Sequence, residues 1–182
     1  SVDSANMMNK VFEVMEAYRL FQFDKSKYKI MIHPQSYVHS IIRFKNGLIK
    51  MILYNTDMKI PISNTIYKKK NNLLKISNIK ITDLNDLNFQ KVNSKAFPSI
   101  KILKKAFKLG SSAPIIINAA NEVLVNLFLK GKIDFLDIVA TINKILKDKD
   151  FKKYAKRKPS SIKVVKNTDN WARLKTVNMC VR

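Results

Sequence analysis

Val38-His39-Ser40-Ile41-Ile42-Arg43-Phe44-Lys45-Asn46-Gly47-Leu48-Ile49-Lys50-Met51-Ile52-Leu53-Tyr54 sets two β-rich runs on either side of Lys45-Asn46-Gly47. Asn-Gly between such runs is a strong hairpin signal, because both residues tolerate the positive φ of a tight strand-to-strand turn. Strands are therefore predicted over 38–44 and 48–54. Upstream, Tyr28 to Ile32 reads as a further short strand, stopped by His33-Pro34. Before that, residues 4–22 carry Met7, Met8, Val11, Phe12, Met15, Leu20 and Phe21 at helical spacing, with Asp3 or Ser4 available as N-cap. This helix is expected to pack on the small sheet.

Downstream of the hairpin, a short helix or turn is expected around Asp57 to Tyr67. Residues 68–95 are polar and Asn/Lys-rich, with small apolar patches such as Leu73-Leu74, and read as a linker. The period then turns helical. Phe97-Pro98 opens one helix ending near Gly110, a second runs from about Ala113 to Lys130, a third from Phe135 to Lys147, and a last from Thr168 to Cys180. The lysine-rich 150s read as a solvated connector. Four helices at the end suggest a small bundle. The fold class is α/β of the α+β kind, with a small sheet in residues 1–67, a linker in 68–95 and a helical domain in 96–182.

The composition of the 182 residues is globular: 46% are hydrophobic, and the net charge is +22 from 35 basic and 13 acidic side chains. One cysteine, Cys180, excludes an internal disulfide framework and a cysteine zinc cluster. Glycine occurs only at 47, 110 and 131, which excludes a Gly-rich phosphate loop. No apolar run approaches membrane-spanning length, and the opening from Ser1 shows no secretory signal pattern. The charge invites a nucleic-acid reading, since phosphate neutralisation dominates such binding. Yet the basic residues are overwhelmingly Lys, spread along the chain, and only Lys68-Lys69-Lys70 and Lys152 to Lys158 form tight runs. Base-edge readout favours Arg, and the aromatics near the runs, Tyr67 and Tyr154, form no interleaved stacking pattern. A solvated lysine surface is the simpler reading.

The chemistry-bearing stretch is Ser1-Val2-Asp3-Ser4-Ala5-Asn6-Met7-Met8-Asn9-Lys10, followed by Glu13. Small polar side chains and a Lys at a helix start favour anions. Glu13 lies at i+3 from Lys10 and i+4 from Asn9, on their face of the helix. Two explanations stand for a carboxylate there: pairing with Lys10, or service to a divalent cation. His33 and His39 lack a recognised zinc spacing, and a lone His on a β-edge is usually a hydrogen-bonded structural residue.

The same stretch, with Glu16-Ala17, resembles the signature of the 1-deoxy-D-xylulose 5-phosphate reductoisomerase family. Three further blocks agree in order: His33-Pro34-Gln35-Ser36 leading to His39-Ser40, Asp57-Met58 leading to Pro61-Ile62, and Asn118-Ala119-Ala120-Asn121-Glu122. Departures are Asn6 where the family usually has Thr, Thr56 where Pro is common, and a Lys-rich segment after Tyr67 where the family tends to carry Trp-Pro.

The resemblance implies an NADPH-dependent oxidoreductase of the non-mevalonate isoprenoid route. Such an enzyme rearranges and reduces a phosphorylated deoxysugar to 2-C-methyl-D-erythritol 4-phosphate with Mn²⁺ or Mg²⁺. Ser4, Asn9 and Lys10 would hold the substrate, and Glu13 would be a metal ligand, with Lys10 and Glu13 at the catalytic centre. His39 and Met58 would lie close around it. Asn118 to Glu122 would serve packing and hydrogen bonding. In the family a dinucleotide-binding domain and further metal carboxylates come first, so this chain is expected to be a C-terminal part, without an NADPH site of its own and inactive alone. A homodimer is expected for the complete enzyme, with no nucleic acid or membrane partner. Its place would be the cytoplasm in a bacterium or a plastid-type organelle in a eukaryote. The alternatives are a basic nucleic-acid-binding module and a non-catalytic dimerisation fragment paired through the 38–54 hairpin.

Overall fold

The computed structural model describes residues 1–67 and 79–180. The Lys68-Lys69-Lys70 run and the Leu73-Leu74 patch lie outside the described residues. The elements in order are α1 (Val2–Ala5), α2 (Met8–Phe21), β1 (Met31–Ile32), β2 (Val38–Arg43), β3 (Ile49–Leu53), α3 (Lys59–Ile66), β4 (Gln90–Lys91), α4 (Ser99–Leu109), α5 (Ala113–Leu129), α6 (Phe135–Ile145), α7 (Phe151–Ala155) and α8 (Ile162–Cys180). Two compact units result, one from residues 1–29 with 93–182 and the other from 30–92. No helix among the described residues is long and apolar enough to cross a membrane.

The larger unit is built around α5, which packs against α2, α4, α6, α7 and α8. Its core includes Ile102, Ile116, Ile117, Leu124, Ile138, Ile142, Ile145 and Phe151. Met8, Val11 and Met15 of α2 belong to this same core. That corrects the expectation that the first helix packs on the sheet: its buried stripe is spent on α4 and α5. The three-part division at 68 and 96 gives way for the same reason, since the first 29 residues fold with the last 90.

The first helix is also two helices. Ser1 caps α1 by accepting the Ser4 N–H at 3.2 Å. Met7 then adopts a left-handed conformation (φ 61°, ψ 13°), so the chain restarts as α2 at Met8. A non-Gly residue in that region is strained and must be held by its surroundings.

In the 150s, Phe151 and Ala155 are fully buried and form the short helix α7. The lysines between them had masked an amphipathic turn as a connector. The final helix begins at Ile162, six residues ahead of the expected start at Thr168.

In the smaller unit, β2 and β3 pair antiparallel with Ile41 opposite Met51 and Arg43 opposite Ile49. Gly47 turns the hairpin at φ 88°, and Asn46 Oδ1 accepts the Leu48 N–H. The upstream strand is shorter than expected and pairs elsewhere: Met31 lies opposite Lys91 and Ile32 opposite Gln90. Part of the expected linker is thus a strand, β4. Asp57 Oδ1 accepts the Lys59 N–H at the start of α3, which the sequence placed between Asp57 and Tyr67.

Candidate functional site at the start of helix α2

Three of the sequence-predicted residues meet on one exposed face of α2. Asn9 Nδ2 donates to Glu13 Oε1 at 2.8 Å. The Lys10 ammonium lies 2.7 Å from Glu13 Oε2 and 3.0 Å from Oε1. Helical spacing brings them together, since positions three and four apart share a face. The Lys10 and Glu13 side chains are 47% and 46% exposed. An ion pair in water is worth about 0–1 kcal/mol, so an incoming ligand displaces it cheaply. The arrangement therefore presents a cation, an amide N–H donor and a carboxylate within one helical turn.

Ser4 stands apart from the trio, on α1 beyond the Met7 break. Its Oγ lies 2.9 Å from Ser1 Oγ, and it is exposed. Its orientation is set by what holds the α1–α2 turn. Asn6 is buried, and its Oδ1 accepts the Met8 N–H at 2.9 Å. Ser99 Oγ of α4 donates to the Asn6 carbonyl at 2.6 Å. Asn121 Nδ2 of α5 donates to Asp3 Oδ1 at 3.0 Å. Sequence patterning had not tied Ser99 or Asn121 to this turn, because both bonds cross more than 90 residues of chain.

His39 and Met58 belong to the smaller unit. The His39 ring stacks on Tyr54 at 3.7 Å, and Nε2–H donates to the Tyr54 carbonyl at 3.0 Å. His33 Nδ1–H donates to the Asn88 carbonyl at 2.8 Å while its ring stacks on Phe89. Both imidazoles thus have structural partners. Met58 precedes the first residue of α3 and is 64% exposed.

The Asn118–Glu122 block ties helices together. Asn118 Nδ2 donates to Glu122 Oε1 at 3.0 Å, and Glu122 Oε2 receives Arg173 of α8 at 2.5 Å. Arg173 also binds both oxygens of Asp169. Hydrogen bonds to Asp169 and then Glu122 push the guanidinium pKa up. Burial, then the charge of Asp137, pushes the Cys180 thiol up.

Among the described residues no group of three or more His, Cys, Asp or Glu side chains gathers to hold a metal. The donor set at α2 fits one ligand of a shared cation, Glu13. A cleft of about 440 Å³ beside Ala5 and Asn6 is lined by Phe97, Pro98, Phe135, Val139 and Asn143. With no charged group in its lining, it does not suit a phosphorylated ligand.

Residues 53–175 match the family described as the DXP reductoisomerase C-terminal domain. The 1-deoxy-D-xylulose 5-phosphate reductoisomerase of Pelagibacter ubique (strain HTCC1062) is 43% identical over 181 residues, which is 100% of this chain and 47% of that protein. The protein of the same name from Zymomonas mobilis subsp. mobilis is 37% identical over 174 residues, covering 96% of this chain and 44% of its own length. Among solved structures, the Zymomonas mobilis reductoisomerase in complex with NADPH aligns with a TM-score of 0.87 at 34% identity, over 100% of this chain and 47% of that one. A DOX-P reductoisomerase crystal structure in complex with NADPH, fosmidomycin and magnesium aligns with a TM-score of 0.92 at 29% identity, over 98% and 45%. The chain spans about half the length of the curated relatives it matches.

Proposed function

The chain belongs to the 1-deoxy-D-xylulose 5-phosphate reductoisomerase family, and from that premise we propose that it supplies the substrate-holding C-terminal part of such an enzyme. The reaction is conversion of 1-deoxy-D-xylulose 5-phosphate to 2-C-methyl-D-erythritol 4-phosphate, with NADPH and Mn²⁺ or Mg²⁺. The observation that carries this reading is the convergence of Asn9, Lys10 and Glu13 on the exposed first turns of α2. It is supported by backbone similarity to a relative in complex with NADPH, fosmidomycin and magnesium.

In this reading the Lys10 ammonium leaves Glu13 for the substrate's anionic end, and the Asn9 amide and Ser4 hydroxyl bind its oxygens. Both changes are inexpensive at half-exposed side chains. Glu13, freed from Lys10, would be one hard oxygen ligand for a divalent cation. When bound, the divalent cation supplies Lewis-acid polarisation of the substrate's oxygens, and NADPH supplies the hydride. Lys10 and Glu13 thus keep opposite charges adjacent while each serves a different partner.

Among the described residues no group of three or more His, Cys, Asp or Glu side chains gathers around Glu13, and the sequence has no Gly-rich dinucleotide loop. On that basis the chain has no turnover by itself. The exposed apolar residues of the hairpin, Ile41, Ile42, Ile49, Met51 and Ile52, favour cover by a second copy in a homodimer. Its lysines act as a solvated surface, without a nucleic-acid or membrane partner.

The test is NADPH oxidation with the substrate and Mn²⁺. A full-length polypeptide carrying this sequence at its C-terminal end should turn over, and Lys10→Ala should raise KM steeply. The chain alone should match a no-enzyme control. Turnover by the chain alone, or a Lys10→Ala variant with unchanged KM, overturns the reading.

A further inference from the structure

Asp3 and Ser4 lie in α1 and Asn6 in the turn after it, which local bonds such as Asn6 Oδ1 to the Met8 N–H brace only in part. Met7 sits at φ 61°, and α1 is only four residues long. Such a turn opens unless contacts from elsewhere hold it. Besides the packing of Val2 on the core, two long-range side-chain hydrogen bonds among the described residues hold it, and they differ in kind. Ser99 holds the backbone carbonyl of Asn6 on the buried side. Asn121 holds a side chain, the Asp3 carboxylate, next to the residue that presents Ser4.

We propose that Asn121 is a positioning residue for substrate binding: through Asp3 it fixes the α1–α2 turn, and with it Ser4 and the first turn of α2, in the ligand-ready arrangement. This rests on the reading that Ser4, Asn9 and Lys10 hold the substrate's anionic end. Three features carry it. Asn121 is only 2% exposed and sits on the central helix of the larger unit, so its amide is a rigid anchor. Its bond is to a carboxylate, and hydrogen bonds to charged groups are the stronger ones. Its own Oδ1 is buried with no hydrogen-bond partner among the described residues. An unsatisfied buried oxygen is destabilising, so the stabilising polar contact of this side chain is the one its donor makes to Asp3.

The bond also explains how a carboxylate can stand beside an anion-holding turn. Asn121 draws Asp3 Oδ1 toward α5, and the neutral donor satisfies it without using up Lys10. Replacing that donor frees Asp3 to compete with the ligand for Lys10 and for the backbone N–H groups nearby.

Asn121→Leu, close in shape, removes the donor and the unpaired oxygen together. The experiment uses the chain itself, with two readouts: amide hydrogen exchange over residues 3–10, and the response of those amides to titration with inorganic phosphate. In Asn121→Leu, exchange at Ala5, Asn6, Met7 and Met8 should rise by about tenfold while α5–α8 amides keep their protection. Phosphate affinity should fall by at least about threefold. Asp3→Asn, which keeps an Oδ1 acceptor but loses the charge, should protect the turn more than Asn121→Leu does and less than the parent. Asp3→Ala tests the same bond from its other, partly exposed end should Asn121→Leu not fold. Unchanged exchange over residues 3–10 on loss of the bond overturns the anchoring. Faster exchange with unchanged phosphate affinity overturns the positioning role. No phosphate response in the parent chain overturns the substrate-holding reading and the ligand side of this proposal with it, whereas exchange still judges the anchor separately.

Discussion

Lys10 and Glu13 meet at 2.7 Å on an exposed helical face, with Asn9 on the same carboxylate. The pair is the simplest partner each could find, and it is also one that a ligand can separate. That double character makes Glu13 the most informative position for substitution.

Glu13→Gln keeps size and hydrogen-bonding capacity but removes the charge a hard cation requires. As a ligand, Glu13 should be indispensable: in a full-length polypeptide the variant should lose Mn²⁺ affinity and turnover by one to several orders of magnitude. Its thermal stability should drop only slightly, by about 0.2–0.5 kcal/mol, the worth of a helical ion pair. Turnover and metal dependence equal to the parent's would leave Glu13 as a partner of Lys10 and nothing more.

Phe151 is fully buried in a segment that reads as lysine-rich connector. Phe151→Ala should cost about 3–5 kcal/mol in the larger unit, from lost burial plus the cavity. Denaturant unfolding of the chain measures it. A loss under about 1 kcal/mol, the range of surface substitutions, would contradict the placement of α7.

Gly110 adopts φ 126°, and a Cβ there would collide with the Ala155 carbonyl. That carbonyl also accepts the Ser112 N–H at 3.0 Å, joining the end of α4 to α7. Gly110→Ala should therefore destabilise by about 1–3 kcal/mol or more, combining backbone strain with displacement. Thermal melting is the readout, with Gly131→Ala as a control that has φ strain but open space around its Cβ.

Asp148 and Lys175 form an ion pair at 2.8 Å across the larger unit. Burial raises the Asp148 carboxyl, but the Lys175 hydrogen bond, the Asp150 N–H and nearby lysine charge outweigh it, so its pKa is lowered. The hydrogen bond to Asp148 raises that of Lys175 against a smaller effect of burial. The lowered carboxyl stabilises the fold above the ordinary carboxylate range, and this is lost as pH falls through its folded value. The raised ammonium stabilises it below the ordinary lysine value, and this is lost as pH climbs through its folded value. Melting temperature against pH should thus be flat between these limbs, and Asp148→Asn should flatten the acid limb.

The hairpin, the start and stop of α4 and α5, and the trio at α2 were legible because each is local. Asn46-Gly47 states its turn, Gly110 and Gly131 end their helices, and positions 9, 10 and 13 share a face by helical arithmetic. What escaped was non-local or averaged out. The apolar stripe of Met8, Val11 and Met15 says that α2 is covered but not by what, and nearness in sequence points only to the sheet that follows. Two residues of β4 carry too little pattern to reveal a strand, and its partner lies 58 residues upstream in the register Ile32 opposite Gln90. Phe151 and Ala155 are four apart, a helical spacing drowned by Lys152, Lys153 and Lys156. At the site, Asn121 was visible only as part of a packing block, since its partner Asp3 is 118 residues away.

That separation sets a schedule for synthesis. The ribosome releases α2 well before α4 and α5, and at about 5–20 residues per second the 118 residues between Asp3 and Asn121 take roughly 6–24 s to emerge. Until α4 and α5 have emerged, Met8, Val11 and Met15 lack the helices they lie against, and the α1–α2 turn lacks its bonds to Ser99 and Asn121. The hairpin, whose contacts span fewer than 20 residues, can form in the interval. The nascent chain thus acquires its insertion before its frame. The helix carrying the candidate site is made before the helices that cover it, and is exposed to chaperones and to other nascent chains in between.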